Sequence, residues 1–492
     1  MTTTGLTQRI SSHSHWRLHN VAQTQFIEHQ AKAHLPAYSL MARAGLATAQ
    51  LALAIAPHGK KIWIACGPGN NGGDGLESAA LLQTWGKQSI VTWLGKDRDV
   101  SADTQKAWQR AKAAGVTFAD EPPKNFDLAI DAILGIGIHR TPEVVMEQWL
   151  SLLQASNVPV LCVDIPTGLM ADTGEWLSNT VQKNPYAQRH TLSVLTLKPG
   201  LFTASGRDAA GQVWFNDLGV QDSTNCAAWL QQSNQQSNNK LHNSHKGCYG
   251  DVAVIGGAAG MSGAAMLASV AALHGGAGRV FVGLLDDQAR HSFTAAYPAL
   301  MVRVATDLPL KNATVVCGCG AGSAIHTLLP KILTCAQQLV LDADALNVLA
   351  HDTSLQTLLK RRSKNKKPSV LTPHPLEAAR LLNCSVQDVQ TNRLLVAQQL
   401  SEKFECVIVL KGSGSIIASP FHTPVINGSG NALLATAGTG DVLSGLIGAY
   451  IARDQHTFEA TCRAVFAHGH VADNWPSDGI ALDATSLARS VH

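Results

Sequence analysis

The chain has 492 residues, of which 45% are hydrophobic and only 15% are charged, and its 38 basic and 35 acidic residues leave a formal net charge of +3. This balance excludes a strongly basic polyanion-binding protein and an acidic solvating tail as the main theme of the chain. No apolar run reaches the roughly 18 residues of a membrane-spanning helix, so we predict no membrane partner. The 42 glycines indicate many tight turns and close backbone approaches.

The cysteine pattern predicts a reducing compartment. None of the ten cysteines forms a Cys-x-x-Cys pair, so neither a zinc ribbon nor a thioredoxin-like motif is predicted. Cys162 and Cys406 lie in apolar runs, where a free cysteine acts as a small hydrophobic residue. The first nine residues lack the apolar segment of a secretory signal. We therefore predict a cytoplasmic protein with reduced thiols.

A change in composition divides the chain into two halves. The segment 231–239 is rich in Gln, Asn and Ser without apolar periodicity, as is typical of a solvated linker. We place one domain at 16–224, the linker at 225–244 and a second domain at 245–492. In both halves, short runs of Val, Ile and Leu alternate with Ala- and Leu-rich helical segments, which predicts an α/β protein with two αβα layered domains. Ligands of such sheets bind beyond the carboxyl ends of the strands.

The predicted elements follow in chain order. The first half has a predicted helix over Leu35–Ile55, another over Leu76–Trp85, and strands over Lys61–Cys66, Ser89–Leu94, Leu128–Asp131 and Val160–Asp164. The second half has predicted strands over Val252–Ile255, Arg279–Val282, Thr314–Val316, Leu339–Asp342, Ser369–Leu371 and Val407–Leu410, and a helix over Val442–Tyr450.

A glycine-rich segment, GPGNNGGDG at 67–75, follows the first predicted strand. It contains a GxGxxG pattern, but a dinucleotide-binding site of the dehydrogenase type also needs an acid that closes the next strand. That strand ends before Lys96, and the acidic residue Asp97 lies one residue too far along the chain for this role. Asp74 would also place a negative charge beside a pyrophosphate. Hydride transfer is therefore disfavoured.

Polar side chains collect at three strand ends of this half. Asn70, Asn71 and Asp74 follow the first strand, Asp131 closes another, and Asp164 stands in VDIPTG. A single strand-end aspartate is more often a turn former or a helix cap. Three such motifs in this order suit a cation bound by oxygens, with one carboxylate left for proton transfer.

These three motifs resemble the NAD(P)H-hydrate epimerase domain over residues from about 20 to 220. SLMARAG at 39–45 is similar to that family's LMERAG, with Ala42 in place of Glu. The resemblance implies a Rossmann-like sandwich, Asp164 as the acid/base, and a potassium ion bound by Asn71, Asp131 and Thr167, where the family usually has Ser in place of Thr167. It implies substrate contacts at Asp164 and along two segments. The residues of these segments are Asn70, Asn71, Gly72, Gly73 and Asp74, then Gly135, Ile136, Gly137, Ile138, His139, Arg140 and Thr141. After Gly137, the second segment matches the family only loosely.

The second half carries a separate set of strand-end motifs. Small residues at 261–265 open a helix, which close packing alone would also explain, and GCGAG at 318–322 and DADALN at 342–347 follow two strands. In TPHPLE at 372–377, two prolines fix the turn and hold His374 outward. Glu377 then begins a helix, where an acid is favoured electrostatically or can orient hydrated magnesium.

GTGD at 438–441 directly precedes a predicted helix. Successive N–H groups at a helix start bind anions, and Asp441 beside them suits the base of phosphoryl transfer, although an N-cap aspartate is the plain alternative. KGSGS at 411–415 forms a turn of small residues, and its lysine can meet a phosphate.

GTGD before a helix resembles the ribokinase-like superfamily, and the whole motif set resembles its ADP/ATP-dependent NAD(P)H-hydrate dehydratase domain over nearly all of 245–492. The chain departs from that pattern at four positions: Cys319 and Ala321 replace Pro and Leu, Leu376 replaces Gly, and Ala432 replaces Pro. The resemblance implies Asp441 as the catalytic base and Ala264, Gly320, Gly322 and His374 as further substrate contacts. It also implies nucleotide contacts at Lys411, Gly412, Ser413, Gly414, Ser415, Asn431, Thr439 and Gly440.

Together the halves resemble the bifunctional NAD(P)H-hydrate repair family. This implies epimerisation of the R and S hydrates and ADP-dependent dehydration of the S hydrate, with release of AMP and phosphate. The implied partners are hydrated NADH and NADPH, ADP or ATP with magnesium, and a second copy of the chain; no nucleic acid is expected. One alternative is a vitamin or sugar kinase with a Rossmann-like regulatory half. Another is a non-enzymatic scaffold, which the presence of Asp131, Asp164 and Asp441 disfavours.

Overall fold

The structure, a computed structural model, describes residues 5–10, 15–180, 188–222, 224–231, 245–454, 456–476, 479 and 481–491. The chain forms two compact units: Trp16–Ala228 make up most of the first, and Trp229–His492 most of the second. Most of the predicted linker 225–244 lies outside the described residues, but Ala228–Gln231 form a strand. Within the described residues, no helix combines the length and the hydropathy needed to cross a bilayer.

The first unit is built around an eight-stranded sheet. Its strands are β1 (Gln8–Arg9), β3 (Lys61–Cys66), β4 (Gln88–Trp93), β5 (Thr117–Phe118), β6 (Leu128–Ala132), β7 (Val160–Val163), β8 (Arg189–Val194) and β9 (Gln212–Asn216), and β2 (Trp16–Leu18) precedes the first helix. The helices are α1 (Val21–His34), α2 (Ser39–Ile55), α3 (Asn70–Thr84), α4 (Ala102–Ala113), α5 (Val144–Ala155) and α6 (Gly206–Ala209). The strand order is β1-β9-β8-β7-β6-β3-β4-β5, and only the β1–β9 pair is antiparallel.

Strand β3 shows how this sheet is covered on both faces. Ile62, Ile64 and Cys66 belong to one hydrophobic cluster, which includes residues of α2 and α3. Trp63 and Ala65 belong to a second cluster, which includes residues of α5. Because alternate residues of a strand point to opposite faces, the predicted αβα layering is confirmed for this unit.

The second unit has a longer mixed sheet. Its strands are β10 (Ala228–Gln231), β11 (Asp251–Gly256), β12 (Arg279–Leu284), β13 (Met301–Val304), β14 (Thr314–Cys317), β15 (Gln338–Leu341), β16 (Ser369–Leu371), β17 (Val407–Leu410), β18 (Ile416–Ser419) and β19 (His422–Asn427). The helices are α7 (Ser262–His274), α8 (Arg290–Ala296), α9 (Leu329–Cys335), α10 (Ala343–His351), α11 (Thr353–Lys364), α12 (Pro375–Leu382), α13 (Val386–Thr391), α14 (Arg393–Phe404), α15 (Thr439–Arg453), α16 (Thr457–Asp473) and α17 (Ala484–Ser490).

Seven strands of this unit run parallel in the order β13-β12-β11-β14-β15-β16-β17, and β18, β19 and β10 extend the sheet beyond β17. Helices α7 and α15 share its main hydrophobic core. They pack so closely that a Cβ on Gly445 would lie 1.9 Å from the carbonyl oxygen of Ala268. The GTGD segment therefore starts a helix that is held tightly in the core.

Three predicted helix starts were wrong. Helix α2 begins at Ser39 rather than at Leu35, α3 begins at Asn70 rather than at Leu76, and α15 begins at Thr439 rather than at Val442. Glycine disfavours helices in isolation, but Gly72, Gly73 and Gly75 fit positions where a side chain would collide with neighbouring atoms. Tertiary packing thus overrides local propensity, and the polar side chains expected in loops lie on first helical turns.

Candidate active sites

In the first unit, the start of α3 lies against the carboxyl ends of β3 and β6. A Cβ on Gly75 would lie 2.6 Å from the Cβ of Ala132 and 2.8 Å from Sγ of Cys66. A Cβ on Gly67 would lie 1.9 Å from the carbonyl oxygen of Ile133. The glycines of this segment therefore bring the helix N-terminus, with its free N–H groups, onto the ends of the strands.

Asp131, Thr167 and Asn71 meet around the turn that follows β6. The Thr167 hydroxyl donates to Asp131 Oδ1 at 2.6 Å and its N–H donates to Oδ2 at 3.0 Å, while the N–H of Leu134 donates to the Thr167 hydroxyl at 3.0 Å. Next to Leu134, a Cβ on Gly135 would lie 3.3 Å from the Cβ of Asn71. Burial raises the pKa of Asp131, and the hydrogen bonds from Thr167 oppose this shift.

The Asn71 side chain tests whether these residues fit a cation. Its Oδ1 and Nδ2 are buried and have no hydrogen-bond partner among the described residues. A buried amide without a partner is costly, and an oxygen-binding cation would satisfy its Oδ1. The three residues that the resemblance assigns to potassium therefore fit such an ion.

Asp164 is bound to a lysine that the sequence analysis missed. It follows β7 in a left-handed conformation (φ 66°), which is uncommon for a residue other than glycine. The ammonium of Lys198, which is fully buried, forms an ion pair with its Oδ1 and also donates to the carbonyl oxygen of Val194 at 2.9 Å. The signal that could have found Lys198 is a lysine directly after the strand-like run 190–197 and before Pro199.

Asp74 provides a second carboxyl group with different properties. It is half-buried on the first part of α3, and both its burial and the nearby charge of Asp164 raise its pKa well above the usual range. Asp74 therefore keeps its proton more readily than an ordinary aspartate. A carboxylate paired with a lysine and a carboxyl group with a raised pKa can act together as proton acceptor and donor.

The remaining predicted substrate contacts of this unit lie in different environments. Asn70 accepts a hydrogen bond from the Ser101 hydroxyl at 2.7 Å. Ile138 is buried, whereas the residues from His139 to Thr141 are exposed. Thr141 also lines a cavity of about 740 Å³ together with Glu147 and Asn179.

In the second unit, helix α15 has Gly438 as its N-cap residue, with a φ of 89°. Asp441 lies in the first turn of this helix. His468, which the sequence analysis also missed, contacts the carbonyl oxygen of Thr439 through Nε2 at 3.0 Å. Burial lowers the pKa of His468 to about 4, so it is neutral near pH 7. The free N–H groups of this turn form an anion-binding site.

Asp441 lies in a buried cluster. Sγ of Cys319 and one carboxylate oxygen each of Asp342 and Asp441 are all within 4.8 Å of one another. Burial, and then the negative charge of Asp342, raise the pKa of Asp441 to about 6. A carboxylate with such a pKa is mostly ionised at pH 7 and accepts a proton readily, as a general base requires.

Lys411 supplies the positive charge of this site. Its ammonium donates to Asp342 Oδ1 at 2.7 Å and lies 4.0 Å from Glu377 Oε2. A Cβ on Gly440 would lie 3.4 Å from this ammonium nitrogen, which places it beside the helix N-terminus. Burial favours the neutral amine, but Asp342 and Glu377 outweigh it and raise the pKa of Lys411. Burial in turn raises the pKa of Glu377 to about 7.

The segment Lys411–Ser415 rests on a buried arginine. Arg393 is 1% exposed and donates through Nη2 to the carbonyl oxygens of Leu410 and Lys411 at 3.3 and 3.2 Å. A Cβ on Gly412, whose φ is 138°, would lie 2.8 Å from Arg393 Nη1. Arg393 was not predicted as a site residue because no local pattern distinguishes it from other helical arginines.

His374 caps helix α12 rather than only pointing outward. Its Nδ1 accepts hydrogen bonds from the N–H groups of Leu376 and Glu377 at 3.1 and 3.3 Å, and its side chain is 45% exposed. Burial and the charge of Lys411 lower its pKa, so the ring is neutral and suited to this cap. Its contact with substrate stays a prediction.

Three other predicted substrate contacts surround Met261. A Cβ on Gly320, whose φ is 57°, would lie 2.6 Å from the Met261 carbonyl oxygen and 2.9 Å from the Cβ of Ala264. The N–H of Gly322 donates to Asp344 Oδ2 at 2.8 Å. Gly322 and Asp344 line a cavity of about 560 Å³. Cys319, the neighbour of Gly320, links this group to Asp441.

Asn431 and Thr439 lie at the two ends of one loop. Asn431 donates through Nδ2 to the carbonyl oxygen of Ala472 at 2.9 Å. The Thr439 hydroxyl donates to the carbonyl oxygen of Leu434 at 2.9 Å. These bonds connect the loop to α16 and shape the entry to α15.

Comparison with known proteins identifies both units. A family model described as NAD(P)H-hydrate dehydratase matches residues 252–492, and one described as YjeF-related protein N-terminus matches residues 37–200. The chain is similar to the bifunctional NAD(P)H-hydrate repair enzyme Nnr of Escherichia coli strain K12, with 34% identity over 467 residues that cover 89% of this chain and 85% of the relative.

Two further relatives match the second half. The ADP-dependent (S)-NAD(P)H-hydrate dehydratase of Neisseria meningitidis serogroup B is 43% identical over 240 residues, covering 48% of this chain and 80% of the relative. A crystal structure of the ADP/ATP-dependent NAD(P)H-hydrate dehydratase from Bacillus subtilis, co-crystallised with ATP and magnesium, has 28% identity and a TM-score of 0.45, and covers 51% of this chain and 91% of that one. From the relatives that span both halves, we conclude that the chain belongs to the family of bifunctional NAD(P)H-hydrate repair enzymes.

Proposed function

We propose that this protein repairs hydrated NADH and NADPH: its first unit interconverts the R and S hydrates, and its second unit dehydrates the S hydrate with ADP as the phosphoryl donor. The single observation that carries the proposal is Asp441, a carboxyl group with a pKa raised to about 6 on the first turn of an anion-binding helix.

In the dehydration, Asp441 removes the proton of the hydroxyl group at C6 of the nicotinamide ring. The resulting oxygen nucleophile attacks the terminal phosphoryl group, held at the N–H groups of Thr439 and Gly440, and AMP leaves. Lys411 balances the charge that develops there. Magnesium would be held mainly by phosphate oxygens and water, and its charge would help to neutralise the phosphates. Phosphate then leaves C6, C5 loses a proton, and the double bond of NAD(P)H forms again.

In the epimerisation, the hydroxyl-bearing C6 is bonded to the ring nitrogen, so its configuration is lost when water leaves and returns on the other face. A proton donor must assist the leaving hydroxyl and an acceptor must deprotonate the incoming water. Asp74, whose pKa is raised well above its usual range, and Asp164, which is paired with Lys198, supply these two functions. Potassium would be held by Asn71, Asp131 and Thr167, and its charge would help to fix the polar part of the substrate.

The test is a repair assay on separated R and S hydrates with ADP and magnesium, which follows the near-ultraviolet absorbance of NAD(P)H and free phosphate. The Asp441→Asn variant should lose restoration of both epimers by about 10²–10⁴-fold. The Asp164→Asn variant should lose only the enzyme-dependent repair of the R hydrate. As matched controls, Asp127→Asn and Asp388→Asn change aspartates that cap backbone N–H groups, and both variants should retain both activities.

Failure of the wild-type protein to restore NAD(P)H would contradict the proposal. A persistent phosphorylated product in place of free phosphate would instead identify a small-molecule kinase.

The predicted cytoplasmic location, the homo-oligomer, and the lack of nucleic-acid or membrane partners belong to the same proposal. All ten cysteines are free, which supports a reducing compartment. Size-exclusion chromatography with light scattering tests the oligomer.

A further inference from the structure

Cys319 occupies a fixed position beside the phosphoryl-transfer site. It lies in the turn after β14 and is completely buried. The glycines on either side have φ values of 120° and 57°, and the Cys319 carbonyl oxygen accepts a hydrogen bond from the N–H of Gly257 at 3.0 Å. The backbone of the turn therefore fixes the direction in which the thiol points.

The thiol faces Asp441. Its Sγ lies within 4.8 Å of a carboxylate oxygen of Asp342 and of one of Asp441. Asp342 is already bound by the Lys411 ammonium at 2.7 Å and by the Ser444 hydroxyl. In contrast, no ammonium or guanidinium group of the described residues forms an ion pair with Asp441. The thiol of Cys319 is thus a side-chain donor that lies next to this carboxylate.

We propose that Cys319 is a positioning residue for dehydration: its thiol donates a hydrogen bond to the Asp441 carboxylate, fixes its orientation, and favours the form that accepts a proton. This inference rests on the proposed role of Asp441 as the base.

The charges around Asp441 explain why one weak donor matters. Burial and the carboxylates of Asp342 and Asp344 oppose ionisation of Asp441, whereas the thiol of Cys319 and the ammonium of Lys411 favour it. Near this group, Glu377 interacts with Lys411, and neutral His468 contacts the turn through the Thr439 carbonyl. Removing the thiol removes one of the two favourable contributions, and a hydroxyl in its place would be a stronger donor.

The first test is the pH dependence of kcat/KM for dehydration in the wild type and in the Cys319→Ala and Cys319→Ser variants. For Cys319→Ala, we expect the acidic limb to move up by about 0.5–1 pH unit, so that activity falls about 3–10-fold below the limb and changes little on the alkaline plateau. For Cys319→Ser, the limb should stay or move down. A uniform loss at all pH values with an unshifted limb would show a purely structural role and overturn the proposal.

The second test needs no cysteine variant. The S–H stretching band lies in an infrared region that is free of other protein bands, and a hydrogen bond to a carboxylate shifts and broadens it. The difference spectrum between wild type and Asp441→Asn should show one S–H band moving towards the weakly bonded position. An absence of any S–H difference would refute the hydrogen bond. If the wild type failed to restore NAD(P)H, the proposed function would fall, while this spectrum would still decide whether the thiol binds Asp441.

Discussion

The two units hold their key carboxylates in different ways. In the first unit, Asp164 forms a direct ion pair with the buried ammonium of Lys198. In the second, the one ammonium of Lys411 is bonded to Asp342, and Asp441 lies nearby with a pKa raised to about 6. A carboxylate that shares a buried cluster with other acids is poised to take up a proton, whereas Asp164 is held in place by a lysine. The arrangement in the second unit suits a proposed base, Asp441, that accepts a proton from an alcohol. The arrangement in the first unit suits a proposed pair of groups, one that donates a proton and one that accepts it.

The largest effect should come from breaking the ion pair of the first unit. Lys198→Met leaves the charge of Asp164 buried without its partner, which we expect to cost about 3–5 kcal/mol in the free energy of unfolding and to abolish epimerisation. Urea unfolding and the epimer-resolved assay measure these effects. The control Lys32→Met removes an exposed pair with Glu28 and should cost only a few tenths of a kcal/mol. If the two variants were equally stable, the contrast between the units would be wrong.

The second prediction concerns the acid cluster of the second unit. Glu377 is 4% exposed, and its pKa is raised from 4.5 to about 7, so the folded state binds a proton at Glu377 more tightly than the unfolded state does. This contribution to stability is fully present below pH 4.5 and is lost as the pH rises through about 7. Compared with Glu377→Gln, the wild type should therefore lose stability on the order of 3 kcal/mol between pH 4.5 and 8. Parallel pH profiles of the unfolding free energy for the two proteins would contradict this.

The smallest effect should come from Thr167, the hydroxyl that holds Asp131. Thr167→Val removes a buried donor from the carboxylate and should cost about 1–3 kcal/mol and raise the potassium concentration that epimerisation needs. Thr167→Ser keeps the hydroxyl and loses one methyl group, so it should cost about 1 kcal/mol and leave the potassium dependence unchanged. Identical potassium requirements in both variants would show that the hydroxyl does not support the cation.

The sequence predicts much of this arrangement because its strands are continuous apolar runs. Three predicted strands, Lys61–Cys66, Ser369–Leu371 and Val407–Leu410, have the observed bounds. Where apolar runs end, polar residues such as Asp131 and Asp164 stand out, and the parallel sheet brings such ends together. The roles predicted for these side chains remain proposals.

The residues that sequence reasoning missed depend on contacts between distant segments. Lys198 lies 34 residues from Asp164, and Arg393 supports a turn 17 and 18 residues away. Arg393 has no local pattern that distinguishes it from a surface cation, and the local sign of Lys198 is its place between a strand-like run and Pro199. The helix starts at Asn70 and Thr439 were missed for a related reason, since only packing against distant residues reveals why glycine is needed there: Gly75 lies against Cys66 and Ala132, and Gly438 lies against Leu267 and Ala484.

The glycine-rich start of α3 has a consequence for how the first site assembles. Each glycine within a helix costs about 1 kcal/mol relative to alanine, so the turn that carries Asn70, Asn71 and Asp74 has little tendency to form alone. Gly75 gains its contacts only after β3 and β6 have paired, because those strands supply the atoms that it packs against, and Gly73 needs Met41 of α2 and Thr104 of α4. The helical turn and the sheet therefore order in one cooperative step, and a chain with an unfinished sheet has no partly built site that could trap a nucleotide.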